Sequence, residues 1–287
     1  MKILSLGKKP RKATADEIAE LEKPWNRYAS PGTRVEVGFP DDFEGSQVWG
    51  ILAQQKMQNG LDHIMEAPAL IRKIVWAAEN GYDAVVQSNT FDPGIDGARL
   101  SVSIPVIGPF RTTIHIVANL VDRIGIVVPL PSHVPYTWRL LRTMGMNGFV
   151  TGIRCLDIYG SDVKERKQEI TDKTAELIRS LVNETGAQGV IPLGGALIPS
   201  VVDPADLQAI TGVPVYNTKA ISVRVAEMCV SLGLTHSPLA DLKRDRLNVP
   251  AGKQLFNDAS VRVREGYQGL LDAAQVKRRF VTGHRLF

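Results

Sequence analysis

Short apolar runs alternate with longer amphipathic segments along the first half of the chain. Runs rich in β-branched residues predict strands, whereas segments with apolar residues at helical spacing predict helices. The predicted strands are Lys2–Leu6, Thr33–Phe39, Asp83–Gln87 and Ile104–Ile107, and the predicted helices are Ala13–Lys23, opened by Thr14 or Asp16, and Ala67–Asn80, ended by Gly81.

The second half repeats this alternation. The predicted strands are Arg123–Val128, Gly148–Arg154, Gly189–Leu193 and Val213–Tyr216, and a long helix over Lys164–Thr185 ends at Gly186. Near-continuous apolar strands that alternate with helices are typical of parallel sheets covered on both faces. We therefore predict an α/β fold with two lobes, residues 1–120 plus 218–287 forming the first and 121–217 the second. From about residue 236 the pattern becomes a charged, basic extension without clear periodicity.

The distribution of charge limits what its sum implies. The formal net charge is +4, but residues 1–12 carry five Lys/Arg and no acid, and residues 241–287 carry ten Lys/Arg against five acids. The body between these segments is acidic and the chain has few aromatic residues, so we expect no nucleic-acid partner. No apolar run is long enough to span a membrane, and no secretory signal is evident, so we expect a cytoplasmic protein with no membrane partner.

The cysteines and histidines suggest no metal site. Cys155 and Cys229 lie far apart and form no CxxC pair, and both occupy apolar settings that predict small core residues. The five histidines lack the spacing of metal ligands, and His115 lies in an apolar segment, which favours a core position or a supporting role behind a site over direct ligation. The common nucleotide-binding and hydrolase motifs are also absent.

Polar and glycine residues follow the predicted strands where parallel α/β sheets bind ligands. Ser88, Asn89 and Thr90 follow one strand and could hold an anion or an enolate-like oxygen, although a helix N-cap or Asx turn explains them equally well. Asp92 is a candidate general base, with turn formation as the alternative. The remaining substrate-binding candidates that follow strands are Gly7, Lys8, Leu130, Ser132, Gly194, Gly195 and Ala196.

Over residues 1–235 the sequence resembles the Asp/Glu racemase superfamily, and within it the hydantoin (allantoin) racemase branch. The resemblance rests, in order, on the segments GYDAVVQSNTFDPGIDGARLSVSIPVIGP, DRIGIVVPL, ETGAQGVIPLGGA and TGVPVYN. It implies two pseudo-symmetric Rossmann-like lobes, an active site in the cleft between them and no cofactor. It also implies two cysteines, one from each lobe, that remove and return a proton at the substrate α-carbon.

The two positions at which the resemblance expects cysteines hold no thiol in this chain. Ser88 or Asn89 replaces the first, depending on the alignment, and Gly195 replaces the second. Neither replacement supplies a thiol, so the two-cysteine mechanism is excluded. Lys8 and Arg111 depart from the family pattern as well and favour an anionic substrate by direct charge pairing, with surface exposure as the alternative for Lys8.

These observations lead to two functional hypotheses. The first is a cofactor-independent superfamily enzyme that acts on a small carboxylate or cyclic amide through an enolate or oxyanion, as an isomerase, decarboxylase or hydrolase. The second is a non-catalytic small-molecule-binding protein that retains the racemase-like cleft. In either case we expect a homo-oligomer.

Overall fold

A computed structural model describes residues 1–7, 13–40, 61–160 and 162–236. Lys8 and the extension beyond residue 236 lie outside the described residues. The chain forms two parallel β-sheets with flanking helices, which confirms the predicted α/β class and its two lobes. No described helix is long and apolar enough to cross a membrane.

The first sheet has the strand order β2-β1-β3-β4, with every pair parallel. Its strands are β1 (Lys2–Leu6), β2 (Arg34–Gly38), β3 (Ala84–Gln87) and β4 (Val106–Ile107), and the helices of this lobe are α1 (Ala15–Asn26), α2 (Leu61–Glu79), α3 (Ile95–Arg99) and α4 (Pro109–Val117). Thr14 begins α1 through a capping box with Glu17, as its position before the helix predicts.

The second sheet has the order β6-β5-β7, also parallel. It consists of β5 (Ile124–Val128), β6 (Val150–Cys155) and β7 (Gly189–Pro192), with helices α5 (His133–Met144), α6 (Lys167–Thr185) and α7 (Pro204–Thr211). A last helix, α8 (Thr218–Ser231), packs Val223 and Ala226 against the first sheet. The lobe boundaries near residues 120 and 217 stay predictions.

Two predicted elements need correction. Val213–Tyr216 does not form a strand, because only Val215 makes a parallel bridge, to Val190 of β7. Pro214 lacks the amide hydrogen that a longer ladder requires, and only its carbonyl is used, by Val190. Helix α2 begins at Leu61 rather than near Ala67, and it contains Pro68, a residue that favours the first turn of a helix and therefore suggests a later start.

An apolar core holds the two lobes together. Phe91, Phe110 and Ile114 of the first lobe pack in one cluster with residues of β5 and β7, including Ile126 and Ile191. His115 lies outside this core on the exposed face of α4, so the core position predicted for it is wrong. The neighbours Ile114 and Val117 face inward instead, because helical geometry turns adjacent residues to different sides.

Candidate active site

A pocket of about 210 Å³ lies where the loops after β3 and β7 meet. This volume suits a compound smaller than a drug, for which pockets of roughly 300–1,000 Å³ are usual. The pocket brings together most of the polar and glycine residues predicted from strand ends. Its lining consists of Asp62, His63, Ser88, Asn89, Thr90, Phe91, Pro129, His133, Tyr159, Gly194, Gly195, Ala196, Ser200 and Lys219.

A hydrogen bond between the lobes joins the two loops of the pocket. The backbone N–H of Gly194 donates to Thr90 Oγ1 over 2.7 Å. Gly194 has φ +89°, and a Cβ there would lie 2.3 Å from Pro129 Cγ. Glycine is therefore required for both backbone conformation and space at this position.

The loop amides are available to a ligand. Among the described residues, the backbone N–H groups of Asn89, Thr90, Gly195 and Ala196 have no hydrogen-bond acceptor. The Ser88 hydroxyl likewise makes no hydrogen bond within the described chain. Buried backbone N–H groups such as those of Thr90 and Gly195 are rarely left unpaired, so this concentration of donors around one pocket is suited to an anionic oxygen.

Asn89 forms an Asx turn, the alternative explanation that the sequence offered for this residue. Its Oδ1 accepts from the Phe91 backbone N–H at 3.1 Å, and its Nδ2 donates to Glu66 Oε2 at 3.4 Å. These contacts fix the amide and complete an Asx turn at the end of β3. Asn89 therefore shapes the loop and also lines the pocket.

Lys219, which sequence reasoning missed, lies beside Gly195. A Cβ on Gly195 would lie 3.3 Å from Lys219 Cε and 3.3 Å from the Ser88 carbonyl oxygen. Lys219 Nζ donates to Ser200 Oγ at 2.7 Å, and the Ser200 hydroxyl donates to the Gly195 carbonyl at 2.6 Å. Asn217, the N-cap of α8, was the one local signal that a helix starts here.

The environment of Lys219 makes its ammonium easier to deprotonate. Burial lowers the pKa of this ammonium to about 8. No carboxylate of the described chain forms an ion pair with Lys219 to offset that effect. The Trp25 ring also lies nearby, with its centroid 5.2 Å from Nζ.

Asp62 and His63 form an acid–imidazole pair in the pocket that sequence reasoning missed. Both are buried, and His63 Nε2 lies 3.6 Å from Asp62 Oδ2. The imidazole stacks on Phe91 with ring centroids 5.1 Å apart and lies equally near Tyr136. They were missed because they belong to the first turn of α2, before the segment predicted as helical.

Asp92 and Arg111 are absent from the residues that line the pocket. The Asp92 carboxylate accepts the backbone N–H groups of Phe110 at 3.0 Å and Arg111 at 2.7 Å, which caps α4. Burial raises the pKa of Asp92 to about 7, although both amides lower it. The Arg111 guanidinium pairs with Asp96 at 2.9 Å instead of facing the pocket.

Gly7, Leu130 and Ser132 also lie outside the pocket lining. Gly7 donates its N–H to Gly38 and has the Phe39 ring where a Cβ would be. Leu130 is buried, and Ser132 Oγ is buried without a hydrogen-bond partner in the described chain. The sequence placed them correctly after strand ends, but Gly7 lies close against Phe39 and Leu130 belongs to the buried core.

Neither cysteine lines the pocket. Cys155 ends β6, where its Sγ contacts the Pro129 carbonyl at 3.8 Å and accepts the Asp157 backbone N–H at 3.2 Å. Cys229 lies in α8 and packs, half-buried, against the first sheet. Burial raises the pKa of both thiols, which disfavours the reactive thiolate. Within the described ranges, no group of three His, Cys, Asp or Glu residues is placed to hold a metal ion.

Comparison with known proteins gives a consistent assignment. The family model described as Asp/Glu/Hydantoin racemase matches residues 56–226. A hydantoin racemase from Rhizobium meliloti is 27% identical over 199 residues, which is 69% of this chain and 81% of that protein.

Solved structures support the fold. The allantoin racemase from Pseudomonas fluorescens has a TM-score of 0.68 and 20% identity, covering 83% of this chain and 94% of its own. The allantoin racemase from Klebsiella pneumoniae has a TM-score of 0.67 at 20% identity, covering 82% and 90%. With the matched family model, these findings show that the chain belongs to the Asp/Glu/hydantoin racemase family, on its hydantoin racemase-like branch.

Proposed function

We propose that the protein is a cofactor-independent enzyme that acts on a small carboxylate or cyclic amide through an enolate or oxyanion. The observation that carries this proposal is the set of unpaired donors in the pocket. Ser88, Asn89, Thr90, Gly195 and Ala196 line one small cavity, and the Ser88 hydroxyl and the backbone N–H groups of the other four make no hydrogen bond within the described residues. Donors fixed in advance around a developing negative charge lower the barrier to its formation.

The reaction does not use two thiols. Position 88 holds serine and position 195 holds glycine, and the two cysteines lie outside the pocket. Hydantoins, which the names of the related racemases suggest, are cyclic amides whose ring carbonyl becomes an enolate when the adjacent carbon loses a proton. A pocket rich in N–H and O–H donors suits that intermediate and the enediolate of a decarboxylation equally.

A substrate panel tests this proposal. Allantoin, 5-substituted hydantoins, arylmalonates, aspartate and glutamate are incubated with the enzyme in D₂O, and deuterium incorporation, loss of optical rotation and CO₂ release are followed. We expect turnover of at least one compound, reduced at least tenfold by Ser88→Ala or Thr90→Ala. The exposed Thr143→Ala serves as the matched control and should leave the rate unchanged.

Two results would contradict the proposal. Turnover that neither pocket substitution lowers tenfold would show that the active site lies elsewhere. A compound that raises the melting temperature but gives no product would favour the non-catalytic binding protein, since ligand binding to the folded state stabilises it without chemistry.

A further inference from the structure

We propose that Lys219 is the group that exchanges a proton with the substrate carbon in this pocket, with Ser200 positioning it. The proposal rests on the proposed function and identifies its acid–base residue. The Lys219 side chain occupies the space beside Gly195, where a larger residue would project toward Ser88. The Lys219 side chain therefore passes beside the position where the resemblance expects the second thiol.

The hydrogen bonds around Nζ leave its reactive lone pair unused. Ser200 donates its own hydrogen to the Gly195 carbonyl, so it can only accept from Lys219. A neutral amine can donate one hydrogen to Ser200 and still direct its lone pair elsewhere. The contact thus orients Nζ without consuming the basic site, which is what proton abstraction requires.

The groups around Lys219 allow its ammonium to lose a proton at moderate pH. The titratable groups that share the pocket with Lys219 are Asp62 and His63 from α2, His133 from α5, and Tyr159. From α1, Trp25 faces Nζ. Burial without an ion-pair partner favours loss of the ammonium proton, as in lysines that act as general bases.

The proton transfer balances without a co-reactant. Neutral Lys219 takes the hydrogen from the carbon next to the substrate carbonyl, so that the C–H bond breaks and an N–H bond forms. The electron pair moves onto the carbonyl oxygen, where Ser88 Oγ and the loop amides stabilise the enolate. If the planar enolate turns in the pocket before the ammonium returns the proton, the carbon is protonated on its opposite face and the isomer forms, whereas return to the same face regenerates the substrate. Either return restores the amine.

Competitive acetylation measures the amine directly, without a substrate. The full-length protein is labelled with acetic anhydride between pH 6 and 11, and the modification of Lys219 and of the exposed Lys167 is quantified by mass spectrometry. We expect the reactivity of Lys219 to reach its midpoint near pH 8 instead of near 10.5, the ordinary value for a lysine. A midpoint for Lys219 near pH 10.5 would overturn the proposal.

Chemical rescue then tests catalysis on any panel compound that the wild type turns over. We expect Lys219→Ala and Lys219→Arg to lower kcat at least 100-fold with less than threefold change in KM. Added ethylamine should restore turnover to Lys219→Ala but not to Lys219→Arg, which fills the space. Lys167→Ala is the control, and Ser200→Ala should shift the pH dependence of kcat while Ser200→Thr retains it.

The outcomes separate the two proposals. If Ser88→Ala abolishes turnover but Lys219→Arg does not, the assignment of Lys219 is wrong and the proposed function stands. If Lys219→Ala loses activity and amine does not restore it, the lysine has only a structural role and the assignment is also overturned. If no panel compound is turned over and none protects Lys219 from acetylation, both proposals fail.

Discussion

Gly194 offers a quantitative test of how tightly the two lobes meet at the pocket. In Gly194→Ala the new methyl group has to occupy a position 2.3 Å from Pro129 Cγ, in a backbone with φ +89°. The left-handed conformation costs an alanine about 1–2 kcal/mol, and forcing a methyl group into a packed site costs a further ~1–3 kcal/mol. We therefore expect the free energy of unfolding to fall by about 2–5 kcal/mol.

Gly212→Ala is the matched control because it separates the two contributions. Gly212 has φ +71°, but nothing lies within 4 Å of the Cβ position. It should therefore lose only the conformational part, about 1–2 kcal/mol. Urea unfolding followed by circular dichroism measures both variants against the wild type. Equal losses for Gly194→Ala and Gly212→Ala would refute the close packing of the loop after β7 against Pro129.

Three further changes test individual groups. Thr90→Val deprives the Gly194 N–H of its acceptor and should cost about 1–3 kcal/mol in urea unfolding, whereas Thr90→Ser should restore the wild-type value. Burial raises the pKa of Asp92 from 3.8 to about 7, so between these two pH values the folded state binds a proton that the unfolded chain has lost. Stability should therefore fall as the pH rises from 3.8 to about 7. Asp92→Asn should remove that slope in a pH series of melting temperatures, and an unchanged slope would contradict it. Lys219→Met should raise stability below pH 8, where the wild type holds a buried ammonium, and the gain should shrink as pH rises toward 10.5. A destabilising Lys219→Met at pH 6 would argue against that burial.

The sheets were predictable because their strands combine apolar runs with clear ends. Lys2–Leu6 emerges with the predicted bounds, and the αL glycine Gly186 ends α6 as predicted. Val213–Tyr216 was overpredicted, since apolar composition does not reveal that Pro214 restricts pairing to one residue. The edge of a sheet depends on hydrogen bonding that composition alone does not encode.

The site was predictable only where it lies at strand ends. Ser88 and Gly195 follow β3 and β7, and parallel topology brings those ends together. Lys219 and His63 lie in the first turns of α8 and α2, outside the segments predicted as helical, and their approach to the pocket depends on tertiary packing. Arg111 is the opposite case. Its guanidinium pairs with Asp96, whereas the sequence suggested that it would pair with an anionic substrate.

The central claim is that this pocket performs its chemistry without a thiol. The most direct test replaces both cysteines of the chain together, Cys155→Ala and Cys229→Ala, and measures turnover of the panel compound that the wild type converts. We predict that kcat/KM stays within twofold of the wild type. A loss of more than tenfold, in a double variant with the wild-type circular dichroism spectrum and melting temperature, would contradict the account.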